Sequence, residues 1–313
     1  MSDSTAGAVL VCDRLTKRYG DRLAVDGLSF AIRPGERYGL LGPNGAGKTT
    51  TISMVCGVLR PDDGTVLVDG QPAAEARGTI GYVPQDVAVF PDLTARENLA
   101  FFGRLLGLRG TALRRRTDEV LETVELADRA TDFVVKFSGG LQRRLNIAIG
   151  LLAQPRLLVL DEPTVGLDPQ ARNGILEAIE RLAAEGVATL YTTHHIDEAA
   201  RLCTRLGIVD HGRLIAEGSP AELVAGGGSG QRLRVAVGHH SDALVDGCRA
   251  LPAVVDVVAV DGHLDLTVDE APAATAGVLA LAERLGVPVT DLELRRPDLE
   301  TVFLGLTGRA LRD

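Results

Sequence analysis

Gly42-Pro43-Asn44-Gly45-Ala46-Gly47-Lys48-Thr49 is a glycine-rich octet that closes on a lysine and a hydroxyl. It fits the spacing GxxxxGK[ST], whose glycines let successive backbone N–H groups turn toward the oxygens of a polyphosphate. Lys48 would reach the β- and γ-phosphates and the Thr49 hydroxyl would ligate Mg²⁺, with Thr50 next in the same stretch. Nucleoside triphosphate binding is the chemistry this pattern serves.

A pair of acids, Asp161 and Glu162, ends the apolar run Leu157-Leu158-Val159-Leu160. A strand alternates its side chains, so the two carboxylates are expected to point apart and take different jobs. Asp161 is suited to hold Mg²⁺, directly or through water, and Glu162 to act as general base on an attacking water. Ser138-Gly139-Gly140 precedes a helical pattern, and a helix N-terminus is a second anion-binding device. The plain alternative for this tripeptide is a capped helix start.

These groups need elements to position them. Arg37 to Leu41 reads as a buried strand feeding the glycine-rich turn, and a helix is expected from about Lys48 to Val58. Leu157 to Leu160 and Ala188 to Thr192 read as further strands, with helical periodicity from Ala171 to Ala184 between them. Strand-helix alternation of this kind predicts an α/β fold. Residues from about 92 to 153 look almost wholly helical and are expected to form an inserted subdomain.

The predicted organisation is a nucleotide-binding domain over 8–225, a flexible linker over 226–230 (Gly-Gly-Gly-Ser-Gly) and an accessory domain over 231–313. In the accessory domain, strands at 232–237, 254–260, 263–268 and 288–294 alternate with helices at 241–250 and 272–285. That βαββαβ order fits a ferredoxin-like α+β unit, with a last helix at 298–306.

Composition narrows the function. Net charge is −9, which gives no general pull on nucleic acid, and aromatics are 4% with no Trp, too few for base-stacking platforms. No run approaches the roughly 20 apolar residues that span a bilayer. Met1 to Ala8 lacks the basic-then-apolar order of a signal peptide. The four cysteines are scattered and form no CxxC pair, as in a reduced, cytoplasmic protein.

Phe137-Ser138-Gly139-Gly140-Leu141-Gln142-Arg143-Arg144 resembles the LSGGQ signature of the ABC ATPase family, with Leu141 in the usual Gln position and Gln142 one place later. The variant is similar to the SGGMxRR form found among ATPases of drug exporters. From Val9 to Val224 the family's motifs occur in order. The resemblance implies that Tyr19 stacks on adenine with Val25 nearby. It implies that Gln85 is the Q-loop glutamine sensing Mg²⁺ and the γ-phosphate, and that Gly166-Leu167-Asp168 is the D-loop. His194 matches the switch histidine; His195 does not align.

Arg295-Arg296-Pro297-Asp298-Leu299-Glu300-Thr301-Val302-Phe303-Leu304-Gly305-Leu306-Thr307-Gly308 resembles the ending of daunorubicin-resistance-type exporter ATPases. What the family implies is an ATPase driving separate integral-membrane permease subunits from the cytoplasmic face of the membrane. Two nucleotide-binding subunits, here expected to be identical copies, would face head to tail. ATP then lies between the cradle of one and Ser138, Gly139, Gly140, Leu141 and Gln142 of the other. Lys48, Glu162 and His194 would carry catalysis. An importer ATPase is the alternative within the family. A non-transport ABC ATPase is a more distant one, since coiled-coil insertions and zinc-binding cysteine pairs are missing and the acidity argues against nucleic acid.

Overall fold

The computed structural model describes residues 7–226, 231–238, 242–260, 262–295 and 298–307. Apart from Gly226, the expected linker lies outside these residues, as do Arg296, Pro297 and Gly308 of the family-like ending. The chain divides into two compact units, one running to Pro220 and the other beginning at Ala221.

The first unit contains β1 (Leu10–Tyr19), β2 (Arg22–Ile32), β3 (Arg37–Leu41), α1 (Lys48–Val55), β4 (Asp63–Val68), β5 (Gln71–Pro72) and β6 (Ile80–Val83). Helices α2 (Ala95–Leu105), α3 (Gly110–Thr123) and α4 (Gly139–Leu151) follow. Then come β7 (Leu157–Asp161), α5 (Pro169–Ala184), β8 (Ala188–Thr193), α6 (Ile196–Leu202), β9 (Arg205–Asp210) and β10 (Arg213–Gly218), with α7 (Pro220–Gly226) at the junction.

Two sheets organise these elements. One has the order β2-β1-β4-β5 and is antiparallel; the other runs β10-β9-β3-β8-β7-β6. Within the second, β9, β3, β8, β7 and β6 are all parallel, and only β10 turns back on β9. Every residue of β7 and β8 is buried, as expected of parallel strands covered on both faces. One core cluster joins side chains of β1, β2 and β4 to those of β3, β7, β8 and α1, and the rings of Phe30 and Tyr38 stack within it at 5.0 Å.

The strands expected beside the nucleotide site are present, β7 and β8 each extending one residue further than expected. Helix α1 stops at Val55, short of the expected Val58. Gly57 follows at φ +65°, and any Cβ there would strike the Ala73–Ala74 backbone. The antiparallel sheet was not foreseen as a separate layer, because β1 and β2 carry mixed polar and apolar residues with several bulges. Residues 92–153 hold three helices, but the stretch between α3 and α4 is mostly turns with two short 3₁₀ segments, 127–129 and 134–136. Asp128, Thr131 and Asp132 in that stretch supply turn chemistry rather than helix propensity.

The second unit contains β11 (Gln231–Val237), α8 (Asp242–Arg249), β12 (Val254–Val260), β13 (His263–Val268), α9 (Ala271–Arg284), β14 (Val289–Arg295) and α10 (Leu299–Thr307). Its antiparallel sheet runs β12-β13-β11-β14. The alternating inward residues Leu233, Val235, Val237, Leu264, Leu266 and Val268 share a separate core with residues of α8 and α9. Among the described residues, no helix is long and apolar enough to cross a membrane.

Candidate functional site

Parallel strands deliver their successors to one edge of the sheet. The octet follows β3, Glu162 follows β7, His194 follows β8 and Gln85 comes two residues after β6; in the order β3-β8-β7-β6 these are adjacent strands. Open α/β sheets bind ligands at this carboxyl edge. A cleft of about 770 Å³ lies there, lined by Tyr19, Asn44, Gly45, Gly47, Lys48, Thr49, Thr50, Gln85, Glu162, Gly166, Leu167 and His194 among the residues singled out from the sequence.

Gly47 caps α1 at φ +105°, and a Cβ there would collide with the Ala24 carbonyl. Lys48 is 6% exposed; its Nζ donates to the carbonyls of Gly42 at 2.7 Å and Pro43 at 3.2 Å. Its ammonium stands 4.0 Å from Glu162 Oε1, and His194 Nδ1 stands 3.4 Å from Glu162 Oε2. Burial lowers the Lys48 pKa, against the pull of Glu162 and Asp161 in the other direction. Asp161 is raised above the usual carboxylate range, first by burial, with a hydrogen bond from Thr192 opposing.

The two acids do part company, by a route that strand alternation does not describe. Asp161 is the last residue of β7 and accepts from Thr192 Oγ1 at 2.7 Å across the β7–β8 pairing. Glu162 lies past the strand with φ +45°, a left-handed backbone that a non-glycine residue adopts at a cost of about 1–2 kcal/mol per residue. Its N–H donates to the Thr192 carbonyl at 3.2 Å, which holds the turn in place. Strain of this kind gathers at functional sites.

Other expected residues fall elsewhere. Val25 is fully buried in the core and does not line the cleft, because β2 turns it inward against the octet. Gly42, Pro43 and Ala46 form the loop without lining the cleft, and the first two hold Lys48 through their carbonyls. Asp168 caps α5, accepting from Gln170 N and Ala171 N, both at 3.0 Å. Ser138 caps α4 with a long 3.5 Å bond from Leu141 N, and Gln142 Nε2 donates to Phe137 O at 3.3 Å. None of Ser138, Gly139, Gly140, Leu141 and Gln142 lines the cleft; Ser138 and Gly139 are exposed on the surface.

The cleft also recruits residues that the sequence did not single out: Arg22, Ala24, Val165, Arg172 and His195. His195, which has no counterpart in the family motif, stays close to His194. Their rings lie 4.2 Å apart, since β8 ends at Thr193 and both histidines sit in the turn before α6. Arg172 lies in the first turn of α5, a position no local pattern marks. Tyr19 is 51% exposed, and the Lys17 ammonium stands 6.0 Å over its ring.

A buried ammonium 4.0 Å from an acid that itself lies 3.4 Å from an imidazole suits a triphosphate with a water at its terminal phosphorus. This is a nucleoside-triphosphatase site of the P-loop class. The family description "ABC transporter" matches residues 25–165. The chain is 42% identical over 311 residues to the linearmycin resistance ATP-binding protein LnrL of Bacillus subtilis (strain 168), covering 97% of this chain and 100% of that protein. It is 42% identical to the Nod factor export ATP-binding protein I of Paraburkholderia xenovorans (strain LB400), over 98% of this chain and 99% of that one. The daunorubicin resistance ATP-binding protein DrrA3 of Streptomyces coeruleorubidus is 40% identical, over 97% of each chain.

Among solved structures, cbiO1 of Clostridium perfringens, part of the ABC transporter complex cbiONQ, is similar with TM-score 0.66 and 30% identity, over 70% of this chain and 91% of that one. A dimeric ATP-binding cassette in a post-hydrolysis state with ADP and Pi is similar with TM-score 0.60 and 26% identity, over 67% and 98%. The chain belongs to the ABC transporter family and is an ATP-binding subunit that hydrolyses ATP.

Proposed function

We propose that this chain powers the export of drugs or other small molecules by a separate membrane permease, which it joins at the cytoplasmic face of the membrane. Full-length similarity to proteins named for linearmycin resistance, daunorubicin resistance and Nod factor export supports the export direction. The proposed organisation is a cassette over 8–225, a linker over 226–230 and an accessory domain over 231–313 that serves assembly.

The observation that carries the mechanism is that Lys48, Glu162 and His194 meet in one cleft while Ser138 and Gly139 stand exposed outside it. Tyr19 stacks on the adenine, and the octet's N–H groups with Lys48 hold the phosphates. Glu162 polarises the attacking water, and His194 orients it against the terminal phosphate. The donors suited to Mg²⁺ are all oxygens: the Thr49 hydroxyl, the Gln85 amide and the Asp161 carboxylate. Among the described residues, no group of three or more His, Cys, Asp and Glu could hold a metal alone. That fits an ion bound jointly with phosphate oxygens, where it would neutralise charge developing on the phosphoryl group.

Ser138, Gly139 and the α4 N-terminus supply donors to a γ-phosphate bound in a second, identical copy, with Leu141, Gln142 and Asp168 beside the junction. ATP then favours the closed dimer, and loss of the terminal phosphate releases it. An apolar patch supports permease docking: Phe90, Phe101 and Phe133 are exposed, and the Phe90 and Phe101 rings meet at 4.9 Å. Replacing Glu162 with Gln should trap an ATP-bound dimer and slow turnover by about 10²-fold or more, read by steady-state phosphate release and gel filtration. Normal turnover by that variant would remove Glu162 from its role.

A further inference from the structure

Glu198, in α6, is a buried acid that the proposed mechanism leaves unused; it is 4% exposed. Its Oε2 accepts from Thr164 Oγ1 and from the Tyr191 hydroxyl, both at 2.6 Å, and from Thr193 Oγ1 at 3.4 Å. Its Oε1 lies 3.2 Å from Arg172 Nε, and neither of those two atoms makes a hydrogen bond among the described residues.

Three hydroxyls packed together out of water converge on one acceptor, the Oε2 of the Glu198 carboxylate. Burial, and then the charge of Glu198, push the Tyr191 phenol well above its ordinary range, so it remains a donor. Arg172 offsets part of the buried charge while its own side chain is 33% exposed and lines the nucleotide cleft.

Each partner belongs to a different part of the hydrolytic apparatus. Thr164 lies two residues past Glu162 and Arg172 four past Asp168. Thr193 immediately precedes His194, and its hydroxyl also accepts from His195 N at 2.9 Å, which shapes the turn that presents both imidazoles. Three consecutive residues are therefore tied to three acids: Thr192 to Asp161, Thr193 to Glu198, and His194 beside Glu162.

We infer that Glu198 is a positioning residue for hydrolysis: through Thr193 and Thr164 it fixes His194 against Glu162, and through Arg172 it makes that fix depend on helix α5. The inference rests on the roles proposed above for Glu162, His194 and the D-loop at Asp168. It asks nothing of Glu198 in nucleotide binding, because the carboxylate lies behind the cleft wall and is not among the residues lining it.

Glu198→Gln keeps the side chain's size and an acceptor for the hydroxyls but removes the charge that faces Arg172. Arg172→Gln removes the other half of the pair from a partly exposed position. Each is expected to lower kcat for ATP by about tenfold while KM changes by no more than about twofold, the pattern of a group that acts only in the transition state. The double variant should be no slower than the slower single one, since both break the same tie. Glu162→Gln is measured alongside. If it stops turnover while Glu198→Gln and Arg172→Gln keep kcat within about twofold of the parent, the inference is overturned and the general-base reading stands. A rise in KM with kcat kept, or a lower melting temperature alone, overturns it equally. Should Glu198→Gln fail to fold, Arg172→Gln decides the matter by the same criteria.

Discussion

Lys48 shows how a single residue's energetics follow from its surroundings. Its ammonium is nearly enclosed, its pKa lowered by burial, and it shares the cleft with Glu162, while the buried Asp161 acts on it by charge from outside the cleft lining. A buried charge is tolerated only with partners, here the two loop carbonyls and the acids. Lys48→Met should therefore cost about 10²-fold or more in hydrolysis, by removing a preorganised cation from the developing phosphoryl charge. Equilibrium ATP binding should weaken as well; unchanged binding and turnover would show that the lysine faces something else. Motif spacing marked Lys48, the end of an apolar run marked Glu162, and the family resemblance marked His194. No spacing marked Arg172, Val165 or the left-handed backbone of Glu162, because each depends on a neighbour brought in from a distant part of the chain.

At the scale of elements, α2 and α4 show how the helical block is fixed. Thr94 caps α2 with a reciprocal box: its Oγ1 accepts from Glu97 N at 3.2 Å, and Glu97 Oε2 accepts from Thr94 N at 2.8 Å. Thr94→Ala should lower stability by about 1 kcal/mol with activity retained, measured by denaturant unfolding. A loss of activity out of proportion to stability would mean that this end of α2 also takes part in coupling. The Thr94 bonds hold the Glu97 carboxyl below its usual range. The box is thus complete above that range and is lost as pH falls through the lowered value. Helix α4 reaches the loop before Gln85: Arg143 Nη1 and Asn146 Nδ2 both donate to Pro84 O, at 3.0 and 3.3 Å. The helix that begins at Ser138 therefore also holds the base of the loop carrying Gln85. The repeating pattern of the sequence made α4 legible as a helix. It could not show that Arg143, 5% exposed, points inward to that carbonyl.

For the whole molecule, the proposed arrangement of two copies places half of each site on the other subunit. Ser138→Arg should leave ATP binding to the single subunit intact while abolishing ATP-driven dimerisation in the Glu162→Gln background, followed by gel filtration. Dimers that persist in that double variant would contradict the head-to-tail arrangement. The sequence by itself marked the glycine-rich octet as a phosphate-binding pattern, the strands that feed it and the second small α+β unit that follows. Those signals are local: a turn that demands glycine, an apolar run of strand length, a helical period. Only tertiary structure decided that β3, β8 and β7 stand side by side, so that octet, imidazole and acid share one edge, and that a single carboxylate in α6 gathers hydroxyls from two separate segments. Strand order and buried polar partnerships come from packing between residues far apart in the chain, which a pattern read along it does not carry.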